Sequence, residues 1–500
     1  MGTIEFVALL LAGIGPLLAL AHFLKLPATV LLFGAGLAAG FLPGSAPIRV
    51  DPDLAIGLFL PPVIYAAAVR ITPHLLRHLL LPGVIVGVAV SLLTVLGVAA
   101  LSRYVLLPGI TWTAALLLGV VAALFDTRLF QEAKGAPHVP RALTDALKAR
   151  EMASRVVALT ALALVTGAMR EGAAPEVTEA ALEVAWALAG GAAAGFIIGR
   201  GVLWLRDRAG PAPVEIAVSL AAPYLGALAA RGVGLSLAVT IIAAALAVSA
   251  ARVDRETGEA RTSAEARISA MAFWEEVSLL LSSLLFFLAG LAVPEALTGL
   301  GGWHTWQAGV AAAGILATVI ALGWLGSLVS THLPPLAAAL AGEDAAGRAA
   351  AAGVMAWAST RSVLGLVVVL SVPQAWPDGT PFAEGGLLLV VVALVVLGSV
   401  CLQGLTLHRA ARAAALQNGG DTEREETRAR TLAAEARESA GAGDDVADAA
   451  GLAAERRALL DLRERDEIGD EGLRTLLREG DLRKRAAEGD AEPGAPPPQP

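Results

Sequence analysis

A single cysteine, Cys401, in 500 residues excludes a disulfide framework, and its place in an apolar segment leaves the redox compartment unread. The seven histidines are scattered, so no His/Cys cluster has metal-ligand spacing, and no nucleotide-binding glycine loop occurs. These absences argue against a soluble enzyme, and no metal or cofactor is expected. Charge is scarce as well: Asp, Glu, Lys and Arg make up 16% of the chain, against about 25% in soluble domains. There is no basic surplus for nucleic acid, since the net charge is −8. The first residues, MGTIEFVALLLAGIGPLLALAHFL, lack a basic leader and a small-residue cleavage site, and so are read as a first span, not a signal peptide.

Apolar residues are what the chain has in excess, at 56% with a mean hydropathy of +0.68, together with 53 glycines that suit close helix contact in lipid. The expected fold is therefore all-α and polytopic. A window of about 19 residues places thirteen spans at 3–23, 27–42, 54–70, 79–101, 110–133, 144–169, 180–204, 213–230, 233–250, 271–293, 304–331, 346–373 and 384–410. One set of connecting loops carries Lys25, Arg70, Arg77, Lys134, Arg206 and Arg252, whereas the other carries only Arg49, Arg103, Arg170 and Arg231. Basic residues collect on the cytoplasmic side, which predicts a multi-pass plasma-membrane protein with its N-terminus outside and its C-terminus inside. Acidity belongs to the tail: residues 421–500 hold 21 acids and 13 bases, and the rest of the chain balances. Three regions follow: a transmembrane domain over 1–412, a flexible charged linker over 413–451, and a cytoplasmic amphipathic helical tail over 452–500 with a disordered end.

Ionisable residues inside spans are costly unless paired or hydrated, so they mark sites. Asp126 ends the apolar run of the fifth span, and Arg361 sits in the twelfth. The sixth span poses a sharper question. Its charge-free run after Arg155, Val156 to Met169, is 14 residues, about 21 Å of helix against a hydrocarbon core of about 30 Å. A crossing must therefore take in Arg155, with Glu151 and Arg150 one turn below it. Arg150 could snorkel to the headgroups, and Glu275 and Glu276 are placed at the interface. Phe125-Asp126-Thr127 and Ser359-Thr360-Arg361-Ser362 each interrupt an apolar helix with residues able to bond freed backbone groups. Broken helices in both halves of a chain are how secondary transporters build a site.

At these residues the sequence resembles the monovalent cation:proton antiporters of the NhaP/NHE type. LFLPPVIYAAAVRI (58–71), GAP (135–137), FWEEVSLLLSSLLFFLAGL (273–291), WASTRSVLGLVVVLSVP (357–373), LQGLTL (402–407) and the tail ERRALLDLRERDEIGDEGLR are similar to family motifs in the family's order. The resemblance implies a fold of about thirteen helices with inverted repeats and crossing broken helices. It also implies exchange of Na+ or K+ for H+ by alternating access, a core bundle from helices 4–6 and 11–13, and a homodimer.

The departures fall on the chemistry. The family's Thr-Asp-Pro in the fifth helix is here Phe125-Asp126-Thr127, and its sixth-helix Asn-Asp pair aligns with Ser154-Arg155. The glutamate that usually partners the conserved arginine aligns with Arg150, leaving Glu151 to pair with Arg361; Ser282 stands where Asn is usual. Two expectations follow. In one, transport persists with Asp126 as ligand, aided by Thr127, Ser154 and Ser282. In the other, Arg155 faces Asp126 as a built-in cation, and the chain is a transport-inactive scaffold or sensor acting through its tail.

Overall fold

In an apolar solvent every backbone N–H and C=O must be satisfied within the chain, so long runs of Ala, Leu, Val and Gly have no alternative to the helix. The computed structural model describes residues 3–24, 27–42, 55–69, 83–127, 141–172, 177–208, 212–250, 264–300, 302–333, 336–340, 345–373, 375–414, 421–440, 449–465 and 467–490. The helices are α1 (Thr3–Leu24), α2 (Ala28–Gly40), α3 (Leu60–Ala68), α4 (Ile85–Leu101), α5 (Trp112–Ala123), α6 (Arg141–Glu171), α7 (Val177–Arg206), α8 (Ala212–Val233) and α9 (Leu237–Ala250). They continue with α10 (Ala264–Thr298), α11 (Thr305–Ser330), α12 (Ala345–Ala358), α13 (Leu364–Leu370), α14 (Gly385–Ser399) and α15 (Leu405–Ala414). Three tail helices follow: α16 (Asp421–Ser439), α17 (Ala449–Glu464) and α18 (Asp470–Asp490). Two short extended segments, β1 (Phe125–Asp126) and β2 (Thr360–Arg361), are the exceptions, and both fall inside spans. Among the described residues, seven helices are long and apolar enough to cross a membrane, and shorter apolar helices accompany them. The chain is a helical, polytopic membrane protein.

The helices pack as two groups. In one, α4, α5, α6, α11, α12, α13 and α14 pack together, with α6 against β1 and α14 against β2. In the other, α1, α2, α3, α7, α8, α9 and α10 form a second bundle, and α10 also packs against α14 of the first. The tightest crossing of the second group joins α2 to α10. A Cβ on Gly36 would lie 2.0 Å from the Phe287 carbonyl oxygen, and one on Gly290 would lie 2.2 Å from that of Phe33. Only glycine allows backbone to meet backbone there, and the contact replaces the hydrophobic drive that lipid does not supply.

Residues 421–439, expected as part of a flexible linker, are helical. Ala429 and Ala433 of α16, one turn apart, bury against Leu459 and Leu462 of α17, closing a small core with Ile468 and Leu473. The alanine stripe is too weakly apolar to announce a helix on its own, and its stability comes from the leucines it covers. Cross-links Arg430–Glu479 (2.7 Å), Arg456–Asp481 (2.9 Å) and Arg483–Glu455 (2.5 Å) tie the three helices into one unit.

Candidate ion-binding site

The site begins where α5 stops. Thr111 starts that helix by accepting the Ala114 N–H on its hydroxyl at 3.2 Å. Leu124 then turns to φ −72°, ψ 119°, and the chain runs extended through Thr127. The second break, after α12, lies against it: Phe125 pairs with Arg361 and Asp126 with Thr360, antiparallel. Ser362 N–H donates to the Leu124 carbonyl at 3.3 Å, and the Thr360 hydroxyl donates to the Asp126 carbonyl at 2.9 Å. Two interrupted helices thus cross at their extended segments, and each satisfies backbone groups that the other has freed.

Two helix C-termini converge on this crossing, each carrying about half a negative charge on its last carbonyls. Arg361 answers both. Its guanidinium donates to the Ala122 carbonyl at the end of α5 and, at 2.6 Å, to the Ser359 carbonyl past the end of α12. Its own N–H donates to the Ser399 hydroxyl at 2.8 Å, while Gln403 bonds Ser399 and reaches the Ala356 carbonyl at 3.2 Å. The expected pair between Arg361 and Glu151 is therefore corrected. The arginine is held by carbonyls because the crossing concentrates partial negative charge beside it, and Glu151 is engaged elsewhere.

Glu151 is clamped on both oxygens. Oε1 accepts from Arg155 Nη2 one turn along α6, and Oε2 accepts the Thr127 hydroxyl at 2.6 Å. Arg155 Nη2 also lies 3.9 Å from Asp126 Oδ2, an ion-pair distance but not a hydrogen bond. The guanidinium stands between two carboxylates and is bonded to Glu151. Asp126 keeps 14% of its side-chain surface exposed, against 1% for Arg155. Ser154 is fully buried and turns its hydroxyl back to the Glu151 carbonyl at 2.9 Å.

Arg150 turns inward, away from any headgroup. It donates to the Ser327 hydroxyl at 2.5 Å and lies 5.9 Å from the centroid of the Phe125 ring, which also has Arg361 at 5.6 Å. Its backbone is admitted by Gly87 of α4, where a Cβ would meet the Ala153 Cβ at 2.8 Å and the Arg150 Cα at 3.1 Å. Ser282 is half-buried on α10, the helix that packs on α2.

The structure thus brings Asp126, Thr127, Glu151 and Arg155 together, with Arg150 and Arg361 flanking Phe125. Ser327 and Ser399 were not singled out from sequence, and Phe125 and Gln403 entered only as parts of motifs, with no role of their own. Ser399 and Gln403 did leave a signal, two polar residues four apart in a stretch that is otherwise apolar from Gly385 to Leu405. Chemically, the cluster offers one clamped carboxylate, one accessible carboxylate and a fixed cation between them. That arrangement suits a proton or small cation exchanging at Asp126.

Three comparisons bear on this geometry. The family model described as "Sodium/hydrogen exchanger, transmembrane" matches residues 6–413. An uncharacterized Na+/H+ exchanger of Mycobacterium tuberculosis is 27% identical over 446 residues, covering 87% of this chain and 78% of the relative. The Na+/H+ antiporter NhaS2 of Synechocystis is 26% identical over 279 residues, covering 55% of this chain and 48% of that one. In fold, the chain is similar to the sodium proton antiporter MjNhaP1 of Methanocaldococcus jannaschii, with a TM-score of 0.58, 16% identity and coverage of 82% and 97%.

Proposed function

Because the chain belongs to the sodium/hydrogen exchanger family, a family of transporters and not enzymes, we propose that it exchanges a monovalent cation, Na+ or K+, for H+ by alternating access, with Asp126 as the coupling carboxylate. One observation carries this reading: Arg155 is hydrogen-bonded to Glu151 and stands 3.9 Å from Asp126. Glu151 and Arg155 make a neutral pair, and Asp126 remains the carboxylate with solvent access. In one state Asp126 holds a proton; in the other it holds the cation, helped by main-chain carbonyls of the extended segments. Thr127, Ser154 and Ser282 are proposed to assist, the first two by fixing Glu151 and the backbone of α6 beside the site. Further parts of the proposal are thirteen spans with inverted repeats, a plasma-membrane homodimer, an external N-terminus and an internal tail. The loop distribution of Lys and Arg supports the orientation.

A second reading has its own support. The cluster holds three buried guanidiniums, Arg150, Arg155 and Arg361, against the buried Glu151 and the partly exposed Asp126. In it Arg155 is a built-in cation, and the chain is a transport-inactive scaffold or sensor working through its tail. One assay separates the two: dequenching of a pH-gradient dye in sealed vesicles on adding Na+, K+ or Li+. Exchange by wild type that disappears in Asp126→Asn supports the first reading. A silent wild type, with exchange appearing in Ser154→Asn/Arg155→Asp, supports the second and overturns the first.

A further inference from the structure

The last span is not a uniform helix. α14 passes into one turn of π-helix, Val400–Gly404, and then into α15. A π-turn closes its hydrogen bonds from i to i+5, is rare, and is found mostly at functional sites. The apolar residues around it are as well served by an α-turn, so the π-turn persists where contacts made from it offset its poorer geometry. Those contacts are polar. Ser399 ends α14 and Gln403 lies within the π-turn, and both are buried, at 0% and 1% exposure. The Ser399 hydroxyl donates to Gln403 Oε1, and Gln403 Nε2 donates to the Ala356 carbonyl at 3.2 Å.

Ala356 belongs to the last turn of α12, where closing carbonyls need donors from outside the helix. Just past the π-turn, the Thr406 hydroxyl accepts the Trp357 indole N–H at 2.8 Å. The last span therefore holds the end of α12 at two consecutive residues. It also holds β2, which starts beyond that end. Successive N–H groups of an extended chain point to opposite edges. On one edge of β2, the Ser362 N–H donates to the Leu124 carbonyl and the Thr360 hydroxyl to the Asp126 carbonyl. On the other, the Arg361 N–H donates to the Ser399 hydroxyl at 2.8 Å. A ladder as short as β1–β2 is marginal by itself, and a slip of one residue would turn Thr360 away from Asp126.

We infer that Gln403 and Ser399 are positioning residues for the Asp126 site: from the π-turn they keep β2 in register with β1, and so place the main-chain carbonyls beside Asp126. Gln403 anchors the end of α12 and orients the Ser399 hydroxyl. Ser399 then fixes the Arg361 main chain, and the neighbouring Thr360 carries that placement to the Asp126 carbonyl. Neither residue is a ligand; both act through the backbone of the crossing. The inference rests on the exchange reading of Asp126, and it adds to that reading the part of the last span that keeps the site in shape.

The test uses the full chain with Gln403→Met, an unbranched apolar replacement that adapts to the same space, and Ser399→Ala, singly and combined. One readout is amide hydrogen exchange of residues 357–363, with α9 as control. The other is the half-saturating Na+ or Li+ concentration and the maximal rate of ion exchange in sealed vesicles. Each single change should speed amide exchange over 357–363 and leave α9 as in wild type. Each should also raise the half-saturating concentration about tenfold, the equivalent of one net hydrogen bond, with a smaller change in maximal rate. The double variant should match the worse single variant, because both residues act through one chain of bonds. Unchanged amide exchange, faster amide exchange with unchanged half-saturation, or additive losses in the double variant would each overturn the positioning role. If wild type moves no ion, the transport reading fails on its own account. The hold on β2 is then judged by amide exchange alone: quickening confined to 357–363 keeps it, and quickening shared with α9, or none, overturns it.

Discussion

The partners of Arg361 lend themselves to a double-mutant test. Arg361→Ala removes a guanidinium that donates to the carbonyls of Ala122 and Ser359 in a fully buried setting. Each stranded buried acceptor costs about 1–3 kcal/mol, so the expected loss is about 2–6 kcal/mol, with the lost Phe125 contact adding about 1 kcal/mol. Glu151→Ala should also destabilise, because it strands Arg155 and frees the Thr127 hydroxyl. The structure gives these two losses separate causes. Equilibrium unfolding in mixed micelles should find Arg361→Ala/Glu151→Ala additive within about 0.5 kcal/mol. Arg155→Ala/Glu151→Ala should be coupled by about 1–3 kcal/mol, since either change alone leaves a buried charge behind. Coupling larger for Arg361/Glu151 than for Arg155/Glu151 would refute the capping role and restore a direct ion pair.

Other outcomes follow from the same contacts. If Asp126 alone alternates between proton and cation, each transported form is neutral at that residue, so exchange should proceed one for one and be unaffected when a K+ ionophore imposes a membrane potential; a rate that follows the potential sinks the single-carboxylate scheme. Ser327→Ala strands the Arg150 guanidinium and should lower stability by about 1–3 kcal/mol, whereas Ser282→Ala should change it by less than about 1 kcal/mol, both read from unfolding midpoints. Gly290→Leu drives a side chain into the Phe33 carbonyl and should abolish the folded peak in detergent gel filtration. Truncation after residue 415 removes the tail but no span, so the shortened protein should still insert and elute as a single species; failure to insert would give the tail a folding role.

Much of this fold could be read in the sequence because lipid simplifies the code. Several long apolar helices fall within a few residues of their expected ends, as with 144–169 against Arg141–Glu171 and 304–331 against Thr305–Ser330, whereas 271–293 is extended at both ends in Ala264–Thr298. The two interruptions were legible as well, since Asp-Thr and Ser-Thr-Arg-Ser have no other reason to lie inside apolar runs. The partner of Arg361 was not legible. An arginine in lipid announces that it needs negative charge, and a carboxylate on a neighbouring helix is the obvious source. The actual source is two helix ends, and partial charge on carbonyls leaves no mark in a residue string. The helical character of 421–439 was hidden for a related reason: Ala429 and Ala433 are informative only once Leu459 and Leu462 are known to cover them.

The glycine crossing of α2 and α10 has a mechanical consequence. With Gly36 against the Phe287 backbone and Gly290 against that of Phe33, no side chain separates the main chains at these two points, and shear there meets main-chain atoms at once. Such a joint behaves as a welded beam. Elastic give must then be found at interfaces padded by side chains, such as the Thr160–Ser236 seam between α6 and α9. Residue size thus sets the stiffness of each joint: stiff where glycine brings backbones together, more compliant where side chains keep them apart.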